Sequence, residues 1–168
     1  AYHKGKVETM GGAIVVGVDY LIKRSQSIVV GQVLATKARM TKDEQFIVTD
    51  VTIAVDKQIK GSKNGDTMTI QIIGGTLENG LTLDVTHQPH FLPGDEGLFF
   101  VDKDPTKLTE LAGNAQGYLK IDRPAPDAQF VRDGFNRMVY GLEEKGHLNI
   151  DSQNGNKKRL TAKAMVDY

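Results

Sequence analysis

The chain has 168 residues, 39% hydrophobic and 25% charged, with 21 Lys plus Arg balanced by 21 Asp plus Glu and no cysteine. That is the length of one ordinary domain with a globular composition, which excludes a disordered or fibrous chain and a string of enzyme modules. The zero formal charge advertises no polyanionic partner, and the missing cysteines exclude disulfide staples, thiolate catalysis and thiolate metal sites.

The opening AYHKGKVETM is polar, without an initiating Met or the apolar centre of a signal peptide, which fits a processed export product and an excised domain equally. Nothing in the chain approaches the roughly 18 consecutive apolar residues of a membrane helix. Ile14, Val18, Leu21 and Ile22 recur at helical spacing, with Lys23 and Arg24 where positive charge suits the helix dipole, so a short helix is predicted over about 15–24. The β-branched residues at 13–16 argue for extended chain at its start.

From Ser27 the pattern changes. Residues 27–36 are apolar and β-branched enough for a central strand, with Gly31 marking a bend or bulge. Over 46–56 the alternation is clean: Ile47, Thr49, Val51, Ile53 and Val55 share one face, opposite Phe46, Val48, Asp50, Thr52, Ala54 and Asp56. The odd-numbered set is expected in the core and the even-numbered face in water, as in an antiparallel sheet. Asn64-Gly65 then predicts a turn.

Met68, Ile70 and Ile72 predict a returning strand, Leu81, Leu83 and Val85 another, 97–101 one more after Pro93-Gly94-Asp95, and 117–121 a further return. Val51, Ile53, Ile70 and Leu83 are the expected core markers. Beyond a polar connection at 122–127, Phe130-Val131 is expected to pair with 136–140 around Arg132-Asp133-Gly134. Residues 147–151 alternate, 153–156 read as a turn, and 160–166 suit a short helix.

No long helices fit between residues 46 and 101, so a doubly wound parallel sheet is excluded. The expected fold is mainly β: an antiparallel five-stranded Greek-key barrel resembling the oligonucleotide/oligosaccharide-binding (OB) fold, with a short flanking helix, a small β-sandwich being the alternative. The division expected is an N-terminal segment at 1–26, a barrel core at 27–122 and a C-terminal β extension with a possible short helix at 123–168.

Ser25-x-Ser27-Ile28-Val29-Val30-Gly31-x-Val33, Ile47-Val48-Thr49 and Val55 through Ile59-Lys60-Gly61 form an ordered set of small motifs. It continues with Gly74-Gly75, Phe91-x-x-Gly94-Asp95-x-x-Leu98-x-Phe100 and Gly113-x-x-Gln116-Gly117. Over roughly residues 15–122 the set resembles a widespread family of prokaryotic export-associated β domains, themselves similar to a cysteine-free netrin-like or tissue-inhibitor-like barrel. The resemblance implies architecture and a secreted or periplasmic location, and it supplies no catalytic template. Protease inhibition of the tissue-inhibitor kind needs an amino-terminal cysteine, whereas this chain begins Ala1-Tyr2-His3. Asp95 and Glu96 match an acidic position after the family's turn, where turn formation is the expected role.

Asp84-x-x-His87-x-x-His90 is the densest polar constellation, and imidazole and carboxylate groups can ligate zinc. The spacing lacks the helical register and glutamate of a His-Glu-x-x-His site, so the default is an exposed loop stiffened by Pro89 and Pro93, with Phe91 docked on the barrel. Ser25, Ser27, Ser62 and Ser152 lack a nucleophile elbow. Lys60-Gly61-Ser62-Lys63-Asn64-Gly65 lacks the ending of a phosphate loop, and Asp102-x-Asp104 and Asp151-x-Gln153 lack the full calcium-loop pattern. Lys37, Arg39, Lys42, Lys57 and Lys60 could gather into a local basic patch, but only 7% of residues are aromatic, too few to supply stacking platforms for a single strand.

The expected function is a non-catalytic extracytoplasmic interaction or accessory domain contacting a protein or cell-envelope glycan. A carbohydrate-binding barrel is one alternative and a metal-dependent enzyme using Asp84, His87 and His90 another. No catalytic, cofactor or metal residue is assigned, and no general nucleic-acid binding and no membrane span are expected.

Overall fold

A computed structural model describes residues 9–10 and 13–14 as backbone and residues 15–143, 146–150 and 159–168 in full. The chain opens with a small hairpin of β1 (Thr9–Met10) and β2 (Ala13–Ile14), then forms α1 (Val18–Arg24). The long strands β3 (Ser27–Met40) and β4 (Ile47–Lys60) follow, then β5 (Thr67–Ile73) and the two-residue strands β6 (Gly75–Thr76) and β7 (Thr82–Leu83). Next come β8 (Glu96–Val101), a 3-10 turn at Asn114–Gly117, β9 (Tyr118–Ala125) and β10 (Ala128–Arg132). The chain closes with β11 (Gly141–Leu142), β12 (Leu148–Asn149) and α2 (Ala162–Val166).

The core of the fold is one antiparallel sheet of six strands in the order β10-β9-β8-β3-β4-β5. β3, β4 and β5 form a meander, and the chain then crosses to lay β8 on the far side of β3. The order β8-β3-β4-β5 is that of a Greek key. The sheet has six strands where five were expected, because the turn at Pro126-Asp127 folds β10 back onto β9. Among the described residues β5 and β10 are not paired with each other, so strand pairing does not close the sheet into a barrel. Instead the segment 108–112 bridges two parts of it. Glu110 donates its N–H to the Gln71 carbonyl at 2.8 Å, its carboxylate accepts from the Gln71 N–H at 2.7 Å, and Ala112 donates to the Phe100 carbonyl at 2.9 Å.

Both faces of the sheet are buried at its centre. On one side α1 and α2 press Val18, Leu21, Ala162 and Met165 onto Ile28, Leu98, Phe100 and Leu119. On the other, Val29, Val33, Val51, Ile53, Ile70 and Ile72 meet Phe99, Val101, Leu111 and Tyr118. Alternate residues of β8 therefore serve opposite cores, which is why that strand reads as a continuous apolar run. Each such fully buried side chain contributes on the order of 1.5–3 kcal/mol.

In β4 the expected faces are found: Ile47, Val51 and Ile53 are buried, and Thr52, Ala54 and Asp56 are not. Val48 departs from them, being fully buried on the even side opposite Arg39 and Ile73. Leu83 also departs, lying half-buried on β7 outside both cores because the run expected at 81–85 shrinks to two paired residues.

The helix begins three residues later than expected, since Gly17 is extended and caps it. It ends where the Ser25 hydroxyl and N–H both donate to the Leu21 carbonyl, at 2.6 and 3.1 Å. Residues 136–140 form a single bridge to β10 rather than a strand, and β9 is the strand that β10 pairs with. The turn expected at 153–156 lies outside the described residues.

Candidate functional site

The polar constellation singled out in the sequence is dispersed by its own backbone. Asp84 is exposed, and His87 adopts a left-handed conformation (φ 61°) that turns its ring edge-on to Phe135 at 6.3 Å. His90 is exposed, between buried Pro89 and half-buried Phe91. Phe91 does dock as expected, its ring 4.7 Å from that of Tyr118 and 5.8 Å from that of Phe99. Among the described residues no group of three His, Asp or Glu side chains is placed to hold a metal ion.

Several of the other polar candidates are engaged in holding the fold. Buried Asp102 faces Arg24 and Lys107 at 3.4 and 3.3 Å and accepts from Gln26 at 3.2 Å. Buried Asp133 accepts the N–H groups of Phe135 and Arg137 at 3.0 and 2.8 Å and pairs with the Arg137 guanidinium at 2.7 Å. Glu96 pairs with Arg123 at 2.6 Å. Burial, reinforced by the Asp95 and Glu96 carboxylates, pushes the Tyr118 phenol up, so it stays neutral and donates to the Glu96 carbonyl at 3.0 Å. Of the basic set, Arg39 is bound by Asp50 at 2.7 Å and Lys60 donates to the Ile22 carbonyl at 2.7 Å. Ser152 lies outside the described residues.

A cavity of about 380 Å³ lies beside α1, between Val16, Leu21, Phe135 and Leu148. Its charged lining includes Asp133 and Arg137, the pair already committed to each other. Two grooves flank the connection 88–92, one of about 290 Å³ facing Thr36, Thr49 and Leu83, the other of about 390 Å³ facing Lys120, Phe135 and Asn136.

The end of the sheet beside those grooves carries two exposed leucines. Leu92 is 70% exposed and Leu34 is 49% exposed. Leu34 is the extra residue of a β-bulge, falling where the register to β4 shifts between Val33 and Ala35. A bulge re-aims side chains, and this one leaves Leu34 out of both cores.

Leu92 heads a clamped turn. Its N–H donates to the Asp95 carboxylate at 2.9 Å and its carbonyl accepts from the Asp95 N–H at 3.1 Å. The same turn is tied to β3, with Val33 donating to the Asp95 carbonyl at 2.7 Å and Gly94 donating to the Val33 carbonyl at 2.8 Å. The two leucines are thus presented by neighbouring, hydrogen-bonded backbone.

The sequence identified Pro93-Gly94-Asp95 as a turn and Asp95 as its maker, but it gave no sign of Leu34. A bulge at a non-glycine position leaves no compositional mark, and no alternation test would have found it. The chain matches no family model, no curated protein and no solved structure.

Proposed function

We propose that this protein is a non-catalytic extracytoplasmic interaction domain that contacts a protein or cell-envelope ligand with the end of the sheet bearing Leu34 and Leu92. The observation that carries the reading is Leu92, 70% exposed on a turn fixed by hydrogen bonds to its own Asp95 and to β3. Single exposed leucines are ordinary on protein surfaces. A leucine on a backbone fixed in this way, tied to the strand that carries a second one, is a partly preorganised apolar contact, because the backbone is already ordered when a partner covers it.

The export-associated resemblance supports the location, and the bridging segment 108–112 supports reading the sheet as an incomplete OB-type barrel with its loop ends available for contact. A glycan platform would draw on converging aromatics. Among the described residues the exposed ones, Phe46 and Tyr168, sit on separate elements, the β3–β4 connection and the stretch beyond α2.

The test is site-specific photo-cross-linking. A photoreactive phenylalanine analogue at position 92 of the full chain is irradiated in an envelope extract of the producing cells, with the same group at Thr52 as a control. The expected result is a discrete adduct from position 92, absent from position 52 and lost on Leu34→Asp. Equal labelling from both positions, or none from position 92, overturns the reading.

A further inference from the structure

β3 outruns its neighbour on one side. β4 accompanies it as far as Met40, whereas β8 pairs only with the stretch from Ser27 to Gln32. The turn before β8 covers one more position, Val33. Beyond that, among the described residues, the only backbone partner of β3 is β4. Ala35, Thr36, Lys37 and Arg39 are all exposed.

The groups facing the vacant side follow from the hairpin. Thr41 donates its N–H to the Phe46 carbonyl at 2.9 Å, so its backbone points toward β4. By the alternation of an antiparallel ladder, Arg39, Lys37 and Ala35 do the same, and Met40, Ala38 and Thr36 point away. Val33 also points away, toward Asp95 and Gly94, and the extra residue at Leu34 accounts for the three-residue step from Val33 to Thr36. Three successive N–H and C=O pairs therefore face an unpaired edge, repeating about every 7 Å.

We propose that this edge, residues 36–40, receives an extended, acidic strand of a partner protein by β-strand addition. The proposal rests on the interaction-domain reading above and deepens it by naming the partner's conformation and charge. The conformation follows from the edge itself, because a row of backbone donors and acceptors at strand spacing is matched by another extended backbone.

The charge follows from Lys37. It lies directly opposite Asp50 in the register, yet Asp50 is taken by the Arg39 guanidinium at 2.7 and 3.2 Å. Lys37 makes no hydrogen bond or ion pair among the described residues, and neither does exposed Lys42 at the hairpin end.

A second copy of this chain is a poor occupant. Antiparallel self-pairing centred on Ala38 sets Lys37 against Arg39, and centring on Lys37 sets it against itself. Both put cation opposite cation, the usual device by which an edge strand resists its own kind. A strand carrying a carboxylate opposite Lys37 removes the conflict, and its end would run past Leu34 and Leu92.

The test uses the full chain and a labelled, blocked octapeptide of alternating Thr and Val with one central Glu. Two control peptides accompany it, one with Lys for the Glu and one with alternate amides N-methylated. The Glu peptide is expected to bind saturably by fluorescence anisotropy, more weakly as salt rises, with both controls at least about tenfold weaker.

Thr36→Pro removes only an N–H on the vacant side, so the ladder to β4 persists and the melting temperature stays close to that of the unsubstituted chain, while binding falls at least about tenfold. Lys37→Glu is expected to reverse the preference toward the Lys peptide, which decides the matter if the proline variant fails to fold. Equal binding of the N-methylated peptide, no binding by the Glu peptide, or unchanged preference in Lys37→Glu overturns the proposal. So does a dimer that Thr36→Pro dissolves, since the occupant is then a second copy. If the edge proposal fails while the position-92 adduct persists, the interaction reading stands without it.

Discussion

At Gly97 the sheet has room for a hydrogen atom and nothing larger. A Cβ built there would collide with the Tyr118 ring and lie 2.7 Å from the Leu119 carbonyl oxygen. The Tyr118 ring stacks on Phe99 at 4.9 Å and takes the edge of Phe91 at 4.7 Å, so this small residue sets the position of three aromatic side chains. Gly97→Ala should lower stability by about 1–3 kcal/mol through forced repacking. At Gly141 a Cβ meets nothing within 4 Å, and alanine there should be close to neutral. Comparing denaturant midpoints of the two variants checks the assignment, and equal midpoints refute it. The same crowding explains why Leu92 stays outside: its neighbour Phe91 fills the space beside Phe99 and Tyr118.

Among the elements, β4 tests the two-residue period most directly. Val51 is 1% exposed in the core beneath the sheet, and Thr52 points to the other face, half-buried. Val51→Asp buries an unpaired carboxylate and should cost more than about 3 kcal/mol, while Thr52→Asp should stay within about 1 kcal/mol. Urea unfolding followed by circular dichroism measures both, and equal losses would mean the faces are misassigned.

These faces were legible because eleven alternating residues at 46–56 leave one solution. The run at 81–85 offered only Leu81, Leu83 and Val85 to the same argument, and the structure leaves Leu81 at 55% exposure. The histidine loop was legible as a polar cluster, but not as a dispersed one. Its path depends on the left-handed φ of His87 and on Phe91 finding an aromatic pocket contributed by β8 and β9. The unpaired edge was hidden for a related reason: the strand expected at 27–36 extends to Met40, and whether those extra residues are covered depends on where β8 begins, some sixty residues away.

Across the whole molecule, one carboxylate ties β9 and β10 to the segment just ahead of α2, beside the backbone bond from Val131 to the Leu160 carbonyl and the packing of Ala162 and Met165. Asp122 on β9 faces Arg132 of β10 at 3.1 Å and Arg159, just ahead of α2, at 2.7 Å. The Arg159 guanidinium also lies over the Phe130 ring, 5.0 Å from its centroid. Burial pushes the Asp122 carboxyl up, but hydrogen bonds and positive charge from Arg159 and Arg132 outweigh it and hold the group below the usual carboxylate range.

A carboxyl depressed in the folded state stabilises fully above its unfolded value of about 3.9, and that contribution is lost as pH falls through the lower folded value. The C-terminal segment should therefore loosen in acid, below about pH 4 rather than near neutrality. Asp122→Asn removes the titrating group and both ion pairs. It should lower stability at pH 7, where the pairs are intact, and flatten the decline that the unsubstituted protein shows below about pH 4. Chemical denaturation from pH 7 down to about pH 2.5 separates the two effects. Parallel curves for the two proteins across the acid range would show that the ion pairs of Asp122 do not set the acid limit of stability.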